Sequence, residues 1–296
     1  MTVSRELRDF LFSRRARLRP EDVGLMPVPG TRRVAGLRRE ELAQLAGLST
    51  DYYTRVEQGR VQRVSDSIVD ALGRALRLDE HEFAHFRNLA QPASTAKRPA
   101  PPQRIRPGLR ITLDALSHVP AYVLGPYLDV LAWNDLASAL VADFDSLSAN
   151  ERNMARLVFL DPDARDLYPD WEHTARTAVG NLRLAAGQYP NDPKLIALVG
   201  ELSVQSSEFR TWWAGHDVRE RTFGTKSFQH PQIGYVELHF NSFRSTDAPD
   251  QILVTYAAEP GSPAETSLRL LASWASEAAV SSERHAEVDQ VVGEQL

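Results

Sequence analysis

The chain has no cysteine among its 296 residues. That excludes disulfides, thiol nucleophiles and cysteine-ligated zinc, and suits a reducing, cytoplasmic setting. Long apolar runs are missing as well. None approaches the ~18–20 residues a membrane span needs, and mean hydropathy is −0.34. Arg5, Arg8, Arg14 and Arg15 break up the amino terminus, so neither a secretory leader nor a membrane partner is expected. Two enzyme signatures are missing too: there is no Gly-x-Ser-x-Gly elbow and no Gly-x-Gly-x-x-Gly turn.

What is present is charge, divided unevenly. Residues 1–110 carry 21 Lys+Arg against 13 Asp+Glu, a net +8, while residues 111–296 carry 13 against 26, a net −13. The total of −5 conceals a basic part suited to a polyanion and an acidic part with another task. Between them, residues 91–110 hold five prolines and five basic residues and few apolar ones, which predicts a semi-rigid extended linker. The acidic stretch 277–296 reads as a frayed helix or disordered tail.

The basic part reads as short helices. Leu7, Phe10, Leu11 and Leu18 recur at helical spacing, and Leu37, Leu42 and Leu45 form a second stripe. Gly47 suits the left-handed position that ends a helix, and Ser49 suits an N-cap for the next. That next helix carries Tyr53 and Val56 inward and ends at Gly59. Residues 66–77 and 79–90 predict two more helices. Two short helices across a glycine turn form either a plain helical hairpin or a helix-turn-helix, whose second helix is free to enter a major groove.

The residues themselves narrow the choice. Glu41-Leu42-Ala43, Ala46-Gly47-Leu48-Ser49 and Val56-Glu57-Gln58-Gly59-Arg60 resemble the motif of lambda-repressor-like (XRE-type) regulators, and residues 1–90 fit its five-helix pattern. Arg38-Arg39 departs from the family's usual Thr-Gln, removing an N-cap and an amide contact. The resemblance implies that Thr50, Asp51 and Arg55 face base edges, Arg55 pairing two donors with guanine. Asp51 either accepts from a cytosine amino group or favours the helix N-terminus. Arg38, Arg39, Ser49, Tyr52, Arg60 and Arg63 are phosphate candidates. Glu57 matches the family's structural acid, expected in an ion pair.

The acidic part predicts two short strands within 121–133, helices near 134–142, 149–159, 171–187, 192–203 and 206–215, three strands near 218–228, 233–243 and 251–258, and a closing helix over 263–276. Two strands, a helical excursion and three antiparallel strands is the order of a PAS-like sheet. Asp129-Val130-Leu131-Ala132-Trp133-Asn134, Phe159-Leu160-Asp161-Pro162, Asp170-Trp171-Glu172 and Ala258-Glu259-Pro260-Gly261-Ser262 resemble the ligand-binding domain of MmyB-like transcription regulators. So does Pro29–Ala43. The expected architecture is therefore an all-α helix-turn-helix domain (1–90), the linker (91–110) and an α+β PAS-like domain with a five-stranded antiparallel sheet (111–276). The resemblance implies a double-stranded DNA operator, a homodimer and a fatty acid-like apolar ligand in the PAS-like domain. Tyr122, Leu124 and Trp133 from the sheet, with Met154, Leu157, Phe159, Val179 and Leu182 from helices, are the expected lining. Arg156 or Arg183 is expected at the mouth to meet a carboxylate.

Other groupings lead to plainer readings. His216-Asp217 is expected to end a helix rather than relay protons. Gly224-Thr225-Lys226-Ser227 lacks the first glycine and strand-then-helix context of a phosphate loop. His81 and His85 share a helix face but have no third ligand nearby, so they are expected to be a solvated pair. No metal and no cofactor is expected. The five tryptophans all lie beyond residue 130, as either core or pocket lining.

Overall fold

A computed structural model describes residues 3–25, 34, 36–61, 64–91, 104–215, 223–245 and 248–275. Arg63, the segment 29–33, most of the 91–110 stretch, His216-Asp217 and the 277–296 tail lie outside the described residues. The chain divides into two compact units. One comprises residues 1–101 with 179–220, the other 102–178 with 221–296.

The first unit begins with α1 (Val3–Arg17), α2 (Arg39–Leu45), α3 (Thr50–Glu57), α4 (Asp66–Ala75) and α5 (Glu80–Ala90). Leu7, Phe10, Leu11, Leu37, Leu42, Tyr53, Val56, Val69, Leu72 and Phe86 form one buried cluster. Their 3–4-residue recurrence on each helix closes the helices around a common core. Gly47 takes φ +67°, between α2 and α3. Only glycine reaches that conformation without steric penalty, so the sharp turn follows from its missing Cβ. Asp79 caps α5 by accepting from Glu82 N–H at 2.8 Å, with Glu82 reaching back to Asp79 N–H. The same unit holds the second half of α10 (Trp171–Gln188), α11 (Pro193–Gln205) and α12 (Ser207–Ala214). The expected division at residues 90 and 110 does not follow this boundary.

The second unit is built on a sheet of β1 (Ala121–Leu124), β2 (Val130–Trp133), β3 (Phe223–His230), β4 (Gly234–Ser245) and β5 (Ala248–Ala257). The order is β2-β1-β5-β4-β3, with every pairing antiparallel. α6 (Pro107–Ala115), α7 (Asp135–Val141), α8 (Met154–Leu160), α9 (Ala164–Leu167) and a last helix, α13, over residues 263–275 complete it. Leu113 and Leu109 of α6 pack on Ala121, Val123 and Ala132, covering one sheet face. The expected extended linker therefore stops short: residues 107–110 already belong to α6. Pro107 occupies its first turn, where the missing N–H costs nothing, and Leu109, Leu113 and Leu116 then face the sheet.

Two buried asparagines fix the helices that follow β2. Asn134 accepts from Ala121 N–H and Ala137 N–H and donates to the Leu116 and Val119 carbonyls. Asn153 accepts from Ala155 and Arg156 N–H while donating to the Tyr127 carbonyl. Each caps a helix and ties it to a strand or loop, and one amide side chain supplies both the donors and the acceptor this needs.

Candidate DNA-reading surface and ligand cleft

The reading surface is assembled from a cap, a turn and a buried ion pair. Ser49 caps α3, its hydroxyl accepting from Tyr52 N–H at 3.2 Å. Tyr53 and Val56 point into the core with no exposed surface. Helical geometry then leaves Thr50, Asp51 and Arg55 exposed on the opposite face. Arg55 makes no ion pair among the described residues, so its fork of donors is available. Asp51 sits exposed in the first turn, a place that suits either of its two readings. Tyr52 is half-buried against the core cluster, while Arg60 is exposed beyond the helix end.

Glu57 anchors this helix from below. It is fully buried and accepts from Arg15 Nε at 3.0 Å and from the Tyr53 hydroxyl at 3.0 Å. Burial first, then the Glu57 charge, holds the Tyr53 phenol well above its ordinary range, so it remains a donor. Arg39 Nε also bonds Glu57, from a half-exposed position. Arg39, expected to clamp phosphate, thus has a structural partner first. The N-cap lost at Arg38 is partly replaced, because Glu41 accepts from Arg38 N–H at 2.6 Å. The histidine expectation needs a correction. His85 is buried, not solvated, and meets the Phe10 ring edge-on at 5.3 Å, because α5 turns this face onto α1.

In the second unit, one sheet face carries Tyr122 of β1, Tyr256 of β5, and Lys226 and Phe228 of β3. Tyr122 and Tyr256 hydroxyls bond each other at 2.8 Å, and burial pushes both phenols up. Beside them opens a cleft of about 820 Å³, lined by Leu140, Val141, Leu157, Leu167, Tyr168 and His230 among others. Asp143, Asp161, Asp163 and Asp166 also line it, and among the described residues no Arg or Lys does. Tyr168 is buried, and burial pushes its phenol up. The Lys226 ammonium lies 4.4 Å from the centre of that same ring. It has no carboxylate partner among the described residues, and burial pulls it down to about 8.

The expected pocket lining is therefore scattered. Leu157 lines the cleft. Tyr122 and Leu124 are buried in the sheet, and Met154 is buried at the start of α8. Trp133 donates to Asp145 and lies under Arg152. Phe159 packs on Trp171, and Arg156 donates to the Asn150 carbonyl. Val179, Leu182 and Arg183 belong to the first unit, where the Arg183 guanidinium stacks 4.4 Å from the Trp213 ring centre. Neither expected arginine reaches the cleft. The signal for Lys226 was its position: on alternating β3 it shares the inward face with Phe228, which a lysine rarely does unless something meets its charge.

Comparison with known families matches a domain model to each part of the chain. A helix-turn-helix domain model matches residues 6–86, and a model of the MmyB-like transcription regulator ligand binding domain matches residues 105–271. The chain belongs to the MmyB-like transcription regulators. A search of curated proteins finds no match. This MmyB-like chain is a DNA-binding transcription regulator with a ligand-binding domain. Among the described residues no helix is long and apolar enough to cross a membrane.

Proposed function

We propose that this regulator reads operator DNA through Thr50, Asp51 and Arg55, and that a small apolar ligand held in the second unit adjusts its affinity. The observation carrying the DNA reading is the exposed Arg55, with no ion pair among the described residues, on a helix capped by Ser49 and anchored by buried Glu57. The cleft supports the ligand reading. Its lining is largely apolar, as small-molecule sites usually are. Its acidic rim repels a carboxylate, so the head of an acyl chain would rest deeper, at the Tyr168 hydroxyl, with the Lys226 ammonium against the Tyr168 ring. An anion there accepts a hydrogen bond from the Tyr168 hydroxyl and is attracted by the half-buried Lys226 ammonium. The regulator acts in the cytoplasm as a two-fold dimer on half-sites ~34 Å apart. It performs no catalysis of its own.

The test uses the full chain, because residues 179–215 belong to the compact unit of the amino-terminal helices and an isolated carboxy-terminal piece would lose those contacts. Natively purified protein is extracted with organic solvent and the extract identified by mass spectrometry, and emptied protein is titrated with dodecanoate. A stoichiometric acyl ligand, with binding lost in Lys226→Met, supports the reading. Folded protein that is empty and indifferent to dodecanoate overturns the acyl part and leaves the DNA part standing.

A further inference from the structure

The helix-turn-helix match ends at residue 86, and the ligand-binding match covers 105–271. Residues 179–215 fall inside the second match, yet they pack in the compact unit of the reader helices. The packing is close. Leu184 of α10 joins the core cluster formed by Leu7, Phe10 and Phe86. Gly187 lies so near His85 that an added Cβ would sit 2.6 Å from the imidazole Nδ1. Arg183 is buried, stacks on Trp213 of α12 and attracts Glu6 of α1. The base-facing side chains of α3 remain exposed throughout.

α10 is one unbroken helix of 18 residues. Its first half, to Ala178, is counted with the ligand-binding sheet, and its second half, from Val179, with the reader. A helix of that length is about 27 Å long. Close-packed seams shift between discrete arrangements rather than deform gradually.

We infer that residues 179–215 are the reader's docking platform, and that α10 couples DNA binding by α3 to the state of the ligand domain through the Leu184–Gly187 seam. This rests on the regulator reading above. Because coupling is reciprocal, DNA alone is a sufficient probe. A duplex enriched from a random pool is added to the full-length protein, and amide hydrogen exchange is followed. The expected result is that exchange across residues 171–188 changes at least about threefold on duplex binding. In Gly187→Leu, where the added side chain wedges the seam, that change disappears while the duplex still binds. α1 and α5 amides also exchange at least about tenfold faster in this variant. Leu184→Ala, which removes contact without adding bulk, serves if the wedge prevents folding. An unchanged 171–188 in the wild type, or an undiminished response in both variants, overturns the coupling. A pool that yields no bound duplex defeats the DNA reading instead. The platform is then decided by α1 and α5 alone: faster exchange in the variants upholds it, unchanged exchange overturns it.

Discussion

Glu57 illustrates how one buried charge organises the reading helix. It receives Arg15, Arg39 and the Tyr53 hydroxyl, and only Arg39 is substantially exposed. Removing it leaves the Arg15 guanidinium buried without its carboxylate. Glu57→Ala is therefore expected to lower unfolding free energy by about 3 kcal/mol in urea titration. A loss under about 1 kcal/mol would mean that Arg15 finds other solvation. Lys226 gives a pH signature of the opposite sort. Its folded-state value of about 8 lies below that of an exposed lysine, about 10.4. Below pH 8 both states are protonated and the burial penalty is present in full. Between about 8 and 10 the unfolded state binds more protons, so stability rises with pH. The difference between wild type and Lys226→Met should therefore be flat up to pH 8 and then shift in favour of the wild type. A flat difference throughout would show an ammonium already solvated.

At the scale of elements, α3 joins sequence to readout. Arg55→Ala should reduce discrimination between selected and random duplexes by ~1–3 kcal/mol, measured by competition binding. Equal losses on both duplexes would make Arg55 a phosphate contact. Gly47 sets the angle at which α3 leaves α2. Gly47→Ala, with φ held near +67°, should destabilise by roughly 1–2 kcal/mol in thermal unfolding. These elements were legible because each rests on a local rule: a glycine at a left-handed turn, a serine cap, a 3.6-residue apolar stripe. α6 was masked by the opposite circumstance. Its proline-rich surroundings suggested an extended chain, while its apolar residues had meaning only against the sheet face they cover. α9, four residues long, carries too little periodicity to be recognised at all.

At the scale of the whole molecule, the proposed reading gives each chain one reading helix, so two half-sites would need two chains. Phe223, Tyr235 and Phe243 stand exposed on β3 and β4, on the sheet face away from Phe228. Exposed aromatics of this kind favour pairing of two copies. Light scattering of the full chain is expected to give a dimer, and Tyr235→Glu with Phe243→Glu should shift it toward monomer. A dimer indifferent to both changes would place the pairing surface elsewhere.

The sequence alone determined the amino-terminal helices, the helix-turn-helix and its outward residues, the succession of strands along the chain and the family, because these depend on spacing between neighbours and on motifs carried within short segments. Tertiary structure decided what lies opposite what. Arg183 and Leu182 share a helix with residues of the ligand-binding unit but belong to the reader's, and His85, polar and helical, is buried against Phe10. Lys226 became a candidate anchor because β3 turns it inward onto Tyr168. Such facts arise from long-range contacts between segments far apart in the chain, and no local pattern of residues encodes them.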